Sequence, residues 1–165
     1  MISPEIIRRY PFFGGLAIEQ IQQLALVAEE IRVDNDHFFF KEGDELDKVY
    51  LVLEGAVALV FQLPDQEAKP SVAGQLIGDM QMKDMVVSTV GTGDVFGWSG
   101  LIPDHQATAG AKAVTPCTLI AFDCKKLLAI FEKDCHFGML LTQKVAMVIR
   151  ERLRDLRIEN LALET

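Results

Sequence analysis

No run of apolar residues in this chain approaches the roughly 20 needed to span a bilayer as a helix. The opening MISPEIIRRYPFF has no basic start leading into a long apolar stretch, so it does not read as a secretory signal. Both absences point to a cytoplasmic protein. Cations are the minority charge, with 16 Lys and Arg against 24 Asp and Glu and a net charge of −8. Nucleic-acid phosphates and anionic membrane surfaces both call for clustered Lys and Arg. Neither a membrane nor a nucleic acid is therefore expected as a partner of this chain. Cysteine is scarce too: Cys117, Cys124 and Cys135 are an odd number without C-x-x-C spacing, and they read as reduced thiols, at least two of them buried. His37, His105 and His136 stand apart, with no H-x-H pair, so no metal site is expected. There is no Gly-x-Ser-x-Gly elbow and no P-loop. The chain is expected to be neither an enzyme nor the holder of a cofactor.

What is present is a core: half of the 165 residues are hydrophobic, enough for one domain with an appendage. Ser3 followed by Pro4 predicts the start of a first helix, which PFFGG breaks. Leu16, Ile18, Ile21, Leu24, Ala25, Ala28 and Ile31 fit helical spacing and predict a helix over the stretch from Leu16 to Val33. The character then changes to β-branched and aromatic residues broken by Glu42-Gly43-Asp44 and Glu54-Gly55. Short strands are predicted near 37–41, 48–53 and 56–63. Residues 64–84 read as a long mobile hairpin loop, with room for some strand in its second half and a lid as the functional alternative. Strand character returns at 85–90 and again through AGAKAVTPCTLIAFD. Short strands between Gly and Asp turns, without βαβ alternation, predict an antiparallel roll. Asp123 is the expected N-cap of a helix over CKKLLAIFEKD, and a long helix is expected from Met139 onward.

That last helix carries a second stripe. Thr142, Ile149, Leu156 and Leu163 recur every seven residues, with Ala146, Leu153 and Asn160 between them at the same period. This is a heptad with Ile or Leu at d and Ala, Leu and Asn at a. Asn at an a position favours a parallel, in-register pair, where each Asn meets its twin. Leu141, Val145 and Val148 are free to pack on the helix's own domain. The seam of Ala146, Ile149, Leu153, Leu156, Asn160 and Leu163 predicts a homodimer. Arg150, Arg152, Arg154 and Arg157 read as solvated charges interleaved with Glu151, Asp155 and Glu159.

Two strings carry a resemblance. FKEGDELDKVYLVLEGAVAL, through Gly43, Asp44, Tyr50, Val52, Gly55 and Val57, resembles the first half of a cyclic-nucleotide-binding domain. GTGDVFG, through Gly93, Asp94, Phe96 and Gly97, resembles the strand entering that family's phosphate-binding cassette. From about residue 5 to about 160 the layout resembles the sensor half of a bacterial regulator of the cyclic-AMP receptor/FNR type, ending where the DNA-binding half would start. The resemblance implies a mainly β fold with flanking helices: an antiparallel jelly-roll (double-stranded β-helix) barrel, N-terminal helices and a long C-terminal dimerisation helix. The expected division is 1–135 for the roll with its N-terminal helices and 136–165 for the dimerisation helix.

The resemblance also implies where a ligand would sit. Gly97 matches the cassette glycine whose backbone N–H meets an anion, Ser99 offers a hydroxyl, and Gly100 and Leu101 match the apolar turn. The family's carboxylate for the ribose 2′-OH falls on Trp98. Its arginine for the cyclic phosphate falls on His105 or Gln106, and the small residues after it on Ala107 and Thr108. No Lys or Arg lies between Gly93 and Ala111. Two readings follow with similar weight. One is a non-catalytic sensor module that takes a nucleotide-like or other anionic small molecule, binds cAMP poorly and signals through the dimer helix. The other is a structural, dimerising module whose pocket is filled by its own side chains, Trp98 among them. A third is a transcription regulator of this type without its DNA-binding half in this chain. An FNR-like iron–sulfur cluster is not expected, because no Cys precedes residue 117.

Overall fold

The computed structural model describes residues 2–64 and 82–164. The chain forms two compact units, residues 30–121 and residues 1–29 with 122–165.

The unit of residues 30–121 is built from short strands. They are β1 (Ala28–Val33), β2 (Phe38–Phe40), β3 (Lys48–Glu54), β4 (Val57–Pro64), β5 (Met82–Val90), β6 (Val95–Phe96), β7 (Gly110–Ala113) and β8 (Cys117–Asp123). β3, β4 and β8 each hold four consecutive buried residues, and β5 is largely exposed. They make two four-stranded sheets, ordered β1-β8-β3-β6 and β2-β7-β4-β5. β2 and β7, β3 and β6, β4 and β5, and β4 and β7 all pair antiparallel. The register of β4 on β7 sets Val57 opposite Ala113 and Leu59 opposite Ala111, and all four join the core. Ala58 and Lys112 pair between them, and Lys112 reaches Asp84 at 3.4 Å. The Val57–Ala113 and Leu59–Ala111 pairs set small alanines beside a β-branched and a larger residue on the same face of one sheet. Tyr50, Val52, Val90, Phe96, Cys117, Leu119 and Ala121 belong to the same core.

The turn at Glu54-Gly55 needs its glycine. Gly55 has φ +97°, and a Cβ there would lie 2.5 Å from the Pro116 carbonyl oxygen. Ala56 N–H donates to the Thr115 hydroxyl across the same corner.

The helical reading of Leu16 to Val33 is corrected. Helix α2 runs only over Ile18–Leu26, and Ala28–Val33 is strand β1. Ile31 and Val33, two residues apart, pack together against the core, so period two displaces the helical period there. Their β-branched side chains suit a sheet. The strands at 37–41, 48–53 and 56–63 are found within a residue or two. β5 starts at Met82 rather than 85, because Met82, Lys83 and Asp84 pair with Pro64, Leu63 and Gln62. The expected loop over 65–81 lies outside the described residues.

In the helical unit, α1 covers Pro4–Arg8 and a 3-10 turn covers Pro11–Phe13. Ser3 takes the N-cap position with Pro4 after it, although its hydroxyl makes no capping bond. Gln20 caps α2 by accepting the Ala17 N–H at 2.9 Å. Helix α3 (Cys124–Lys133) starts at Asp123, whose carboxylate accepts the Lys126 N–H at 3.0 Å, as the sequence indicates. Helix α4 (Cys135–Glu164) begins before the expected Met139. Asp134 is the reason: its carboxylate accepts the Phe137 N–H at 3.1 Å and so opens a new helix directly after α3. Phe131 meets Phe137 edge to face at 5.3 Å. Leu141 and Val145 are buried and Val148 half-buried. Cys117 and Cys124 are buried and Cys135 is exposed. Among the described residues no helix is long and apolar enough to cross a membrane.

Candidate functional site

β6 delivers the chain into Gly97, which takes a left-handed conformation at φ +78° and leads into a 3-10 turn over Trp98–Leu101. Gly97 is buried, and a Cβ there would stand 3.0 Å from the Lys48 carbonyl oxygen and 3.3 Å from the Tyr50 ring. Only glycine allows the cassette to lie this close to β3. Aromatic rings pack together at this point. Tyr50 and Phe96 stack at 5.0 Å, and Phe39 meets both at 5.2 Å.

After the turn the backbone takes two successive left-handed steps, at Asp104 (φ +66°) and His105 (φ +54°). Local bonds hold this shape. The His105 N–H donates to the Ile102 carbonyl, and the Asp104 carboxylate accepts the Gln106 N–H at 3.0 Å. His105 Nδ1 lies 2.8 Å from the Gly100 carbonyl oxygen, so the ring ties the end of the loop to the 3-10 turn. A ring nitrogen that meets a carbonyl must carry its proton, which leaves Nε2 as the other polar atom of the ring.

A third segment clamps the loop. Leu46 N–H donates to the His105 carbonyl at 2.7 Å, Ala107 N–H to the Asp44 carbonyl at 2.8 Å, and Gly43 N–H to the Ala107 carbonyl at 2.8 Å. Asp44 in turn accepts the Lys41 N–H at 2.9 Å. Asp94 does the same for the Gly91 N–H at 2.9 Å. Both Gly-Asp turns are therefore scaffolding for the cassette. The strings containing them stand out in the sequence, but their hydrogen-bond duty does not.

The structure thus brings Gly97, Trp98, Ser99, His105, Gln106, Ala107 and Thr108 onto one continuous loop. Trp98, Ser99 and His105 are half-buried, Gln106 and Thr108 exposed, and Ala107 buried. The loop offers glycine backbone, one hydroxyl on the turn and one imidazole already engaged. The seam residues belong to the other unit, on α4. Ile149, Leu153, Leu156 and Leu163 are 36%, 45%, 48% and 85% exposed, in a row that also holds the exposed Ala146 and Asn160.

Comparison with known proteins agrees with this geometry. The chain is 25% identical over 121 residues to the cAMP-activated global transcriptional regulator CRP of Pasteurella multocida, covering 73% of this chain and 49% of that protein. It is 28% identical over 113 residues to the cAMP-dependent protein kinase regulatory subunit of Mycosarcoma maydis, covering 67% of this chain and 20% of that one. The chain thus spans about half the length of the first relative and about a fifth of the second. Both are regulatory proteins by name. Among solved structures, a candidate cyclic nucleotide-binding protein from Geobacter metallireducens GS-15 superposes with a TM-score of 0.75 at 30% identity, over 93% of this chain and 99% of that one. The cyclic nucleotide-binding domain family matches residues 30–134, and the chain belongs to that family.

Proposed function

We propose that this chain is a non-catalytic sensor module that binds cAMP and cGMP poorly, takes another small ligand in a jelly-roll pocket, and signals through a parallel homodimer of its last helix. The observation that carries this reading is the composition of the cassette. Trp98 stands where the family has a carboxylate, and no Lys or Arg occurs from Gly93 to Ala111. His105 is already bonded to Gly100, Gln106 is exposed, and the buried side chain beside them is the methyl of Ala107. A charge-assisted hydrogen bond to phosphate contributes roughly 1.5–3 kcal/mol, and a ribose contact adds to it. Losing both lowers affinity by about a hundredfold to several thousandfold. The Gly97 backbone is retained, and so is the turn after it.

Restoring the missing groups tests the reading. Trp98→Glu combined with Gln106→Arg is expected to raise cAMP affinity by about a hundredfold, read by calorimetry. No gain from that pair would contradict the view that the backbone cradle is intact and only the side chains are wanting.

The Tyr50–Phe96 stack, with Phe39 packed against both rings, favours a second reading, a structural and dimerising module whose roll is filled by its own side chains. Native mass spectrometry of the purified chain separates the two. A bound small molecule supports the sensor, and a bare chain with no response to a metabolite panel supports the filled roll.

A further inference from the structure

One carboxylate beside the cassette comes from outside it. Glu45 and Gln106 form an isolated antiparallel bridge. The bonds on either side run from Leu46 N–H to the His105 carbonyl and from Ala107 N–H to the Asp44 carbonyl. Glu45 and Gln106 are therefore a pair that exchanges no backbone hydrogen bond of its own. In such a pair the Cα atoms stand about 4.5 Å apart and the two side chains share one face. Both residues are exposed. Asp104 adds a second negative charge here, because its carboxylate accepts the Gln106 N–H at 3.0 Å. Position 106 is thus flanked by carboxylates from two segments of the chain. The Asp44 and Asp94 carboxylates are turned to their own turns, on the Lys41 and Gly91 N–H groups. Glu45 makes no ion pair or side-chain hydrogen bond among the described residues, so its charge is free to act on whatever reaches the loop.

A cyclic phosphate brought to position 106 meets this arrangement as charge. Where the family's arginine would attract the phosphate, Glu45 repels it. No lysine or arginine of the loop offsets the repulsion, since none occurs from Gly93 to Ala111, and the Lys41 ammonium lies over the Phe38 ring. His105 is the one imidazole of the loop, and its Nδ1 is committed to the Gly100 carbonyl. We propose, on the reading that position 106 stands where the family has its arginine, that Glu45 is a specificity-determining residue. It turns anionic ligands away and selects a small molecule that presents a cationic donor group to Glu45 and Gln106. A repulsive contact against one ligand is a recurrent route to selecting another. The ligand class so selected differs from the nucleotide-like anion that the resemblance implies.

The unaltered chain and three full-length variants are titrated with cAMP by calorimetry. The variants are Trp98→Glu with Gln106→Arg, that pair with Glu45→Gln, and that pair with Glu45→Lys. Glu45→Gln is expected to raise affinity about threefold to tenfold above the pair alone at low salt. Glu45→Lys should go further, because charge and not side-chain size is at work. Both gains should shrink as salt screens these exposed charges. If the pair gains over the unaltered chain and Glu45→Gln adds nothing, the role of Glu45 is overturned and the intact cradle stands. If no variant binds better than the unaltered chain, both fall. A gain from Glu45→Gln that salt leaves unchanged also counts against a charge role for Glu45. The ligand class has its own probe in 5′-amino-5′-deoxyadenosine, an ammonium in place of the cyclic phosphate. It should bind the unaltered chain more tightly than cAMP does and lose about threefold to tenfold on Glu45→Gln. Binding of cAMP at least as tight as that of the amine overturns the selection of a cationic ligand.

Discussion

At Gly97 two constraints meet in one residue. Its φ of +78° disfavours any L side chain, and a Cβ would press on the Lys48 carbonyl oxygen at 3.0 Å. Gly97→Ala is expected to lower unfolding free energy by about 1–3 kcal/mol. Urea denaturation should show an earlier midpoint at unchanged slope, and an unmoved midpoint would mean that the cassette shifts freely away from β3. Asp123 is a simpler case. Its carboxylate holds the Lys126 N–H, and Asp123→Ala should cost about 1 kcal/mol in the same assay. Both residues are legible in the sequence, because glycine in GDVFG and Asp before CKKLL have local reasons to be there. Asp104 and His105 are not. Their left-handed backbone is held partly by Leu46 and by Gly43 and Asp44 through the neighbouring Ala107, residues about sixty positions earlier in the chain, and nothing in PDHQ announces those bonds.

At the scale of elements, the strands could be read because runs of β-branched and aromatic residues lie between turn signals. The stretch from Leu16 to Val33 shows the limit. Its apolar residues satisfy a helical period throughout, yet the chain turns into β1 after Val27. What decides is β8, the neighbour of β1 in the sheet, and that neighbour lies about ninety residues away. The heptad on α4 is local in kind and could be read directly. A Leu side chain gives roughly 1.5–3 kcal/mol on full burial, so covering the exposed row would supply association energy. Leu156→Glu, placing like charges across the two-fold axis of the proposed dimer, should give monomers by sedimentation at about tens of micromolar, where the unaltered chain is expected to pair. Asn160→Leu should keep or strengthen association while loosening its stoichiometry, since the amide that sets register is gone. A wild-type chain that sediments as a monomer at that concentration would contradict the zipper.

At the scale of the whole molecule, the unit formed by residues 30–121 holds the candidate ligand loop, and the other unit holds the candidate pairing helix. The fold belongs to a family named for its ligand, while on the proposed reading the loop keeps that family's backbone without its charged side chains. Gly97 lets the loop lie against β3, and the Asp44 and Asp94 carboxylates each accept a backbone N–H of their own turn. On the proposed reading the family's carboxylate and arginine serve only the ligand, so they can change without loss of the fold. The most direct test of this separation is calorimetric titration of the full chain with cAMP and with cGMP. The account predicts no saturable binding at micromolar concentration for either nucleotide. Stoichiometric, sub-micromolar binding of either one would contradict it, and would mean that groups other than residues 98 and 105–108 supply the missing contacts.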